Sequence, residues 1–194
     1  MTLSCIILLN VAAAGAEPAD TSFGNDVSVG YALGNAWGGP FSSEQYGNVV
    51  FRYDAFVRDR NSIGPRMGFG LWGAIGVGPT IEMELFEADG RMMRQPTPQQ
   101  HTGILALLRF DPEAPISGTF GMGFGRLAFE QASLDSIALP ALTIEAGGRH
   151  SLPNYGFVDW MLRTHWATVA TAFSQEPEEW WFVELSTSIG MHLR

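Results

Sequence analysis

Eleven ionisable side chains fall on one recurring set of alternating positions: Arg52, Asp54, Glu82, Glu84, Glu145, Arg149, Asp159, Arg163, His165, Glu184 and His192. By the parity of their strands, in extended chain all eleven point to the face opposite the large apolar residues. Ions withdrawn from bulk water must be paired or hydrated. Such a set does one of two things. It forms a salt-bridge network that fills an interior, or it lines a narrow charged pore.

The four histidines, His101, His150, His165 and His192, show no metal-ligand spacing, and no metal or other cofactor is expected from them. His165 and His192 are expected to approach one another inside such an interior, across neighbouring strands. The run Arg149-His150-Ser151, with Asn154 beyond it, carries the residue types of a Ser–His site, but His-Ser-Leu-Pro-Asn-Tyr-Gly is also rich in turn formers. No P-loop, dinucleotide fingerprint or nucleophile elbow is present. Gly121-Met122-Gly123-Phe124-Gly125 is strand alternation, since no helical pattern follows it.

The elements that must carry these residues are strands. Val27, Val29, Tyr31 and Leu33 alternate with Ser28, Gly30, Ala32 and Gly34; Phe120, Met122 and Phe124 alternate with glycines. Similar patterns predict eight strands at about 26–37, 47–57, 66–87, 102–110, 118–129, 141–149, 157–173 and 180–193. Across Gly78-Pro79 the parity of Met67 to Val77 continues through Ile81, Met83 and Leu85. That continuity predicts one long third strand, bent at Pro79 and projecting past a bilayer, so that Glu82 and Glu84 stand beyond the lipid. A turn there would make nine strands, atypical of bacterial single-chain barrels.

The asymmetry of the two faces sets the class. A β-sandwich or a soluble ligand-carrying barrel turns large apolar side chains inward and charged ones to water. A transmembrane barrel turns large apolar side chains to lipid and keeps small or polar ones inside. Here the face opposite the large residues is glycine-rich, and charged residues are only 16% of the chain against about 25% in soluble domains. An all-β, eight-stranded antiparallel up-and-down transmembrane barrel is expected, with both termini on the periplasmic side. Outward loops are expected at 38–46, 88–101, 130–140 and 174–179, and periplasmic turns at 58–65, 111–117 and 150–156. Trp37, Tyr46, Trp160, Trp180 and Trp181 are expected to form interfacial girdles. A net charge of −9 with no basic run speaks against nucleic acid as a partner.

Export is expected from residues 1–16, where apolar Leu3 to Val11 precedes Ala14-Gly15-Ala16, although no Lys or Arg stands before the apolar run. The expected organisation is a signal peptide at 1–16, a lead-in at 17–25 and the barrel at 26–194. The only cysteine, Cys5, lies in the signal segment, so the mature chain is expected to contain no disulfide.

In architecture the chain resembles small outer-membrane barrels of the OmpA, OmpX and OmpW type. It departs from them at its end, Met191-His192-Leu193-Arg194, where an aromatic residue is usual. The resemblance implies an outer-membrane location in a Gram-negative envelope, with the lipid bilayer and lipopolysaccharide as partners. It also implies a non-enzymatic role in envelope integrity, surface contact or narrow solute passage. The 149–154 segment faintly resembles lipid A deacylase barrels, which implies an alternative in which His150 and Ser151 are catalytic. In that family Ser stands two residues after His, a position held here by Leu152. A soluble exported barrel binding an apolar ligand is the other alternative.

Overall fold

A computed structural model describes residues 22–39, 41–58, 64–86, 92–97, 99–130, 137–153, 156–169 and 177–193. The expected signal peptide, residues 1–16, lies outside the described residues. Among the described residues there are ten strands: β1 Ser22–Gly38, β2 Phe41–Arg58, β3 Arg66–Gly76, β4 Ile81–Phe86, β5 Met92–Thr97, β6 Gln99–Phe110, β7 Ile116–Phe129, β8 Ile137–Ser151, β9 Gly156–Val169 and β10 Glu178–Leu193. Eight of them close an antiparallel barrel in the order β1-β10-β9-β8-β7-β6-β3-β2, while β4 and β5 pair only with each other. Closure leaves the barrel no open edge.

The alternation explains the wall. Val29, Leu33, Leu71, Ile104, Met122, Phe124, Leu185 and Ile189 are exposed on the outside, and their strand neighbours of opposite parity face in. The large apolar side chains therefore point outward, the reverse of a soluble ligand-carrying barrel. In water so large an apolar surface would aggregate; in a bilayer it meets lipid.

Most of the barrel strands run past the bilayer, β1 and β2 by the most. About 9–11 tilted residues cross a membrane, whereas β1 has 17 and β2 has 18. The expected loop at 38–46 is thus mostly strand: Gly38 pairs with Phe41, and β2 begins there and not at residue 47. Gly38 and Gly39 both have positive φ, which a hairpin this tight requires and glycine adopts without strain. The polar run from Ser42 to Gln45 gives no alternation because it lies beyond the lipid, where neither face must be apolar. Ser43, also at positive φ, sits by a register shift at Ala36/Trp37, and its hydroxyl meets the Asn35 side chain at 3.2 Å.

The expected long third strand is two elements. Barrel pairing ends at Gly76, the chain turns through Gly78-Pro79, and β4 continues into a separate hairpin with β5. Glu82 and Glu84 stand on that hairpin and not in the barrel wall, because Pro79 interrupts the ladder. The expected loop 88–101 accordingly contains β5 and the first residues of β6. The hairpin is tied to the barrel by Val77 N–H donating to Gly47 O at 2.8 Å and by Ile81, which is fully buried.

The interior is not small throughout. Phe41, Tyr46, Phe129, Trp180 and Phe182 fill the end of the lumen that carries the β1–β2 hairpin. Trp180 meets Phe41 edge-on at 5.0 Å between ring centroids, and Phe129 stacks on Phe182 at 5.7 Å. Tyr46 and Trp180, expected in a girdle, are therefore plug residues. Their parity is luminal, and glycine makes room for them: a Cβ on Gly34 would lie 2.2 Å from the Tyr46 ring. Trp37 and Trp160 are exposed; half-buried Trp181 pairs in register with Trp37 and lies 6.0 Å from Trp166.

Candidate functional site

Six of the eight barrel strands, β1, β2, β6, β8, β9 and β10, contribute to a chain of charges running along the lumen. It starts at the end carrying the outer limits of β1 and β10. There His192 Nδ1 lies 2.5 Å from Asp26 Oδ1, and Arg109 Nη1 donates to Asp26 Oδ2 at 2.9 Å. Arg149 also donates to Asp26, and it grips Asp159 through Nε and Nη2 at 2.6 and 2.7 Å. This two-pronged geometry is what guanidinium provides and ammonium does not. Arg109 and Arg149 approach Asp54 at 3.7 and 3.8 Å.

The chain continues inward. Arg52 Nε donates to Asp54 at 2.7 Å, and Arg52 Nη1 lies 2.6 Å from Glu145 Oε1 as an ion pair without hydrogen-bond alignment. Arg163 donates to Glu145 Oε2 through Nε and Nη2, at 3.1 and 3.0 Å, and reaches Glu184 at 3.5 Å. Three guanidiniums also lie over aromatic rings: Arg109 over Phe56, Arg149 over Phe157 and Arg163 over Trp72, at 3.9, 3.4 and 4.5 Å.

Beyond Arg163 the network ends in a cluster. Glu184 accepts from Asn48 Nδ2 at 3.0 Å and meets His101 Nδ1 at 3.2 Å, with His165 Nε2 at 3.6 Å. His165 Nδ1 contacts Thr143 Oγ1 at 2.9 Å. Both rings and the carboxylate are fully buried, beneath the aromatic plug.

Of the eleven expected interior residues, eight are buried in this network: Arg52, Asp54, Glu145, Arg149, Asp159, Arg163, His165 and Glu184. His192 is half-buried at the mouth, and Glu82 and Glu84 are outside the wall. The expected approach of His165 to His192 does not occur. On adjacent antiparallel strands His165 pairs with Phe182, and His192 lies ten positions further along β10. His165 meets His101 instead, with 5.5 Å between ring centroids.

Four members are additional to that set. Asp26 and Asn48 share the parity of small or polar neighbours already assigned inward. Arg109 and His101 are harder to find, because β6 is apolar on both faces, with Leu105 and Leu107 buried and Ile104 exposed. Alternation gives no signal in such a strand.

His150 and Ser151 lie at the end of β8. Both are exposed, and adjacent strand positions face opposite ways. Ser151 lines a cavity of about 240 Å³ at the mouth, together with Arg66, Arg109, Glu113, Arg149 and His192. Asp26 and Arg149 close the inner side of that cavity.

No protein-family model and no curated protein sequence matches the chain. Solved structures do. Neisserial surface protein A (NspA) superposes with a TM-score of 0.54 at 14% identity, covering 88% of this chain and 97% of that one. The outer membrane protein OprG from Pseudomonas aeruginosa superposes with a TM-score of 0.52 at 8% identity, covering 88% and 96%. These likenesses show a shared fold, the small eight-stranded barrel of outer-membrane proteins. Together with the apolar belt, the fold places the chain in an outer membrane.

Proposed function

We propose that this protein is a non-conducting, non-enzymatic barrel that serves envelope integrity and surface contact through its outward end. One observation carries this reading: inward of the cavity at the mouth, described side chains fill the lumen from Asp26 to the β1–β2 hairpin. The paired charges, from Asp26 to Glu184, and the aromatic plug are almost entirely buried. An eight-stranded barrel is only just wide enough to hold side chains, so a lumen filled in this way offers no water path to an ion. This reading sets the strand termini at the periplasmic side, so what remains for contact is the outward rim at the β1–β2 hairpin and the β4–β5 hairpin.

Planar-bilayer recording tests the reading. The wild-type barrel is expected to give no steps above the bare-membrane baseline. Substituting Phe41, Phe129 and Phe182 by Ala, in a barrel that still shifts on heating in gels, should raise leakage. Steady single-channel currents from the wild-type protein would instead support narrow solute passage.

Lipopolysaccharide is the proposed lipid partner at the outward rim. Arg126 is exposed on the outward half of β7, in a cavity with Gln100 and Thr102, where a lipid phosphate can pair with it. Arg126→Ala is expected to lower the lipid A phosphate that co-purifies with each barrel. An unchanged amount would remove Arg126 from this role.

A further inference from the structure

We propose that His101, His165 and Glu184 form a binding site for a divalent metal ion of the zinc type, set between the ion-pair chain and the aromatic plug. One ligand atom from each of the three residues lies within 4.8 Å of the others. Metal bonds of about 2.0–2.2 Å to nitrogen and oxygen hold neighbouring ligand atoms a little over 3 Å apart. Two of the separations to Glu184, 3.2 and 3.6 Å, are already of that size. Small side-chain rotations would bring the third into range.

Three further observations point to a cation. First, Nε2 of His165 is buried without a hydrogen-bond partner and faces the Glu184 carboxylate. Buried polar atoms left in this state call for an explanation. Second, Thr143 is placed as an outer support. When His165 Nδ1 carries the proton and donates to Thr143 Oγ1, Nε2 presents its lone pair towards Glu184. Third, the charges around Glu184 do not balance. Along the connected network, four arginines, Arg52, Arg109, Arg149 and Arg163, serve five carboxylates: Asp26, Asp54, Glu145, Asp159 and Glu184. Arg163 is committed by two aligned bonds to Glu145, and its 3.5 Å contact with Glu184 is the longest of its three. Glu184 can therefore turn to an ion without stripping Arg163 of its partner.

Two imidazoles and one carboxylate suit zinc, cobalt, nickel or copper better than calcium or magnesium, which prefer all-oxygen shells. The bound ion would tie β6 to β9 and β10, which lie across the lumen from it in the barrel order. Because the site is closed on both sides, loading is expected during folding and exchange should then be slow. The proposal does not depend on whether the barrel conducts.

The test is to refold the full barrel in detergent micelles with cobalt(II) alone, dialyse, and measure bound metal and its visible spectrum. The starting protein carries His150→Ala and His192→Ala, which remove the two histidines outside the cluster. One equivalent of cobalt with a four-coordinate spectrum is expected, together with an upward shift of the temperature at which the folded band is lost. His101→Ala and His165→Ala should each abolish the spectrum. Thr143→Val should weaken binding roughly 10–100-fold. Should those histidine variants fail to fold, nitrogen NMR of the background protein with zinc decides, since both remaining imidazoles must shift together. The site is overturned if the refolded barrel holds no metal, if the cobalt survives loss of His101 and His165, or if neither imidazole shifts.

Discussion

At the scale of the residue, pairing matters more than charge. Arg163 is fully buried and held by Glu145 and Glu184. Removing one partner from a buried pair leaves the other desolvated without compensation, at a cost of about 3–5 kcal/mol. Arg163→Met is therefore expected to lower unfolding stability by that amount, read by urea titration of the barrel in lipid vesicles. Adding Glu184→Gln should recover part of the loss, because one of the stranded charges goes with it. A loss under about 1 kcal/mol would show that water reaches the network.

The barrel strands show how an eight-stranded lumen accepts large rings. Gly34 on β1 faces Tyr46 on β2 in register, and the ring occupies the space a side chain would take. Gly103 and Gly125 do the same for Trp72. Glycine in a strand normally costs stability, and here it is repaid by a packed ring. Gly34→Leu is expected to destabilise by about 1–3 kcal/mol through overpacking. In a double-mutant cycle with Tyr46→Ala, the two losses should fall short of additivity by more than about 1 kcal/mol. Additive losses would mean the ring can move aside. Parity within these strands was legible in the sequence, except in β6, which is apolar on both faces. The strand ends were not, because β1 and β2 continue above the lipid, where no apolar face is needed. The β4–β5 hairpin was hidden for a related reason: its alternation continues that of β3 although it has left the barrel.

For the whole molecule, the bilayer decides what each outward position costs. Met122 lies midway along β7 on the lipid face, whereas Ile116 is the first residue of that strand, at the rim that also carries the strand termini. An arginine facing lipid costs about 2–4 kcal/mol at the midplane and about 0–1 near an interface. Met122→Arg is expected to cost several times more than Ile116→Arg in vesicle-based unfolding. Equal costs would contradict the placement of the belt.

From sequence alone came the strand class, the membrane-facing side and most of the charged interior, since these follow from side-chain parity and the pleat imposes parity locally. Only the closed structure decided who meets whom. Asp26 on β1 reaches Arg109 on β6 and Arg149 on β8, and His101 on β6 reaches Glu184 on β10, in each case across the lumen between strands that do not neighbour one another. Such contacts depend on the tilt and stagger that close eight strands into a ring, a property of the whole sheet that no single strand encodes.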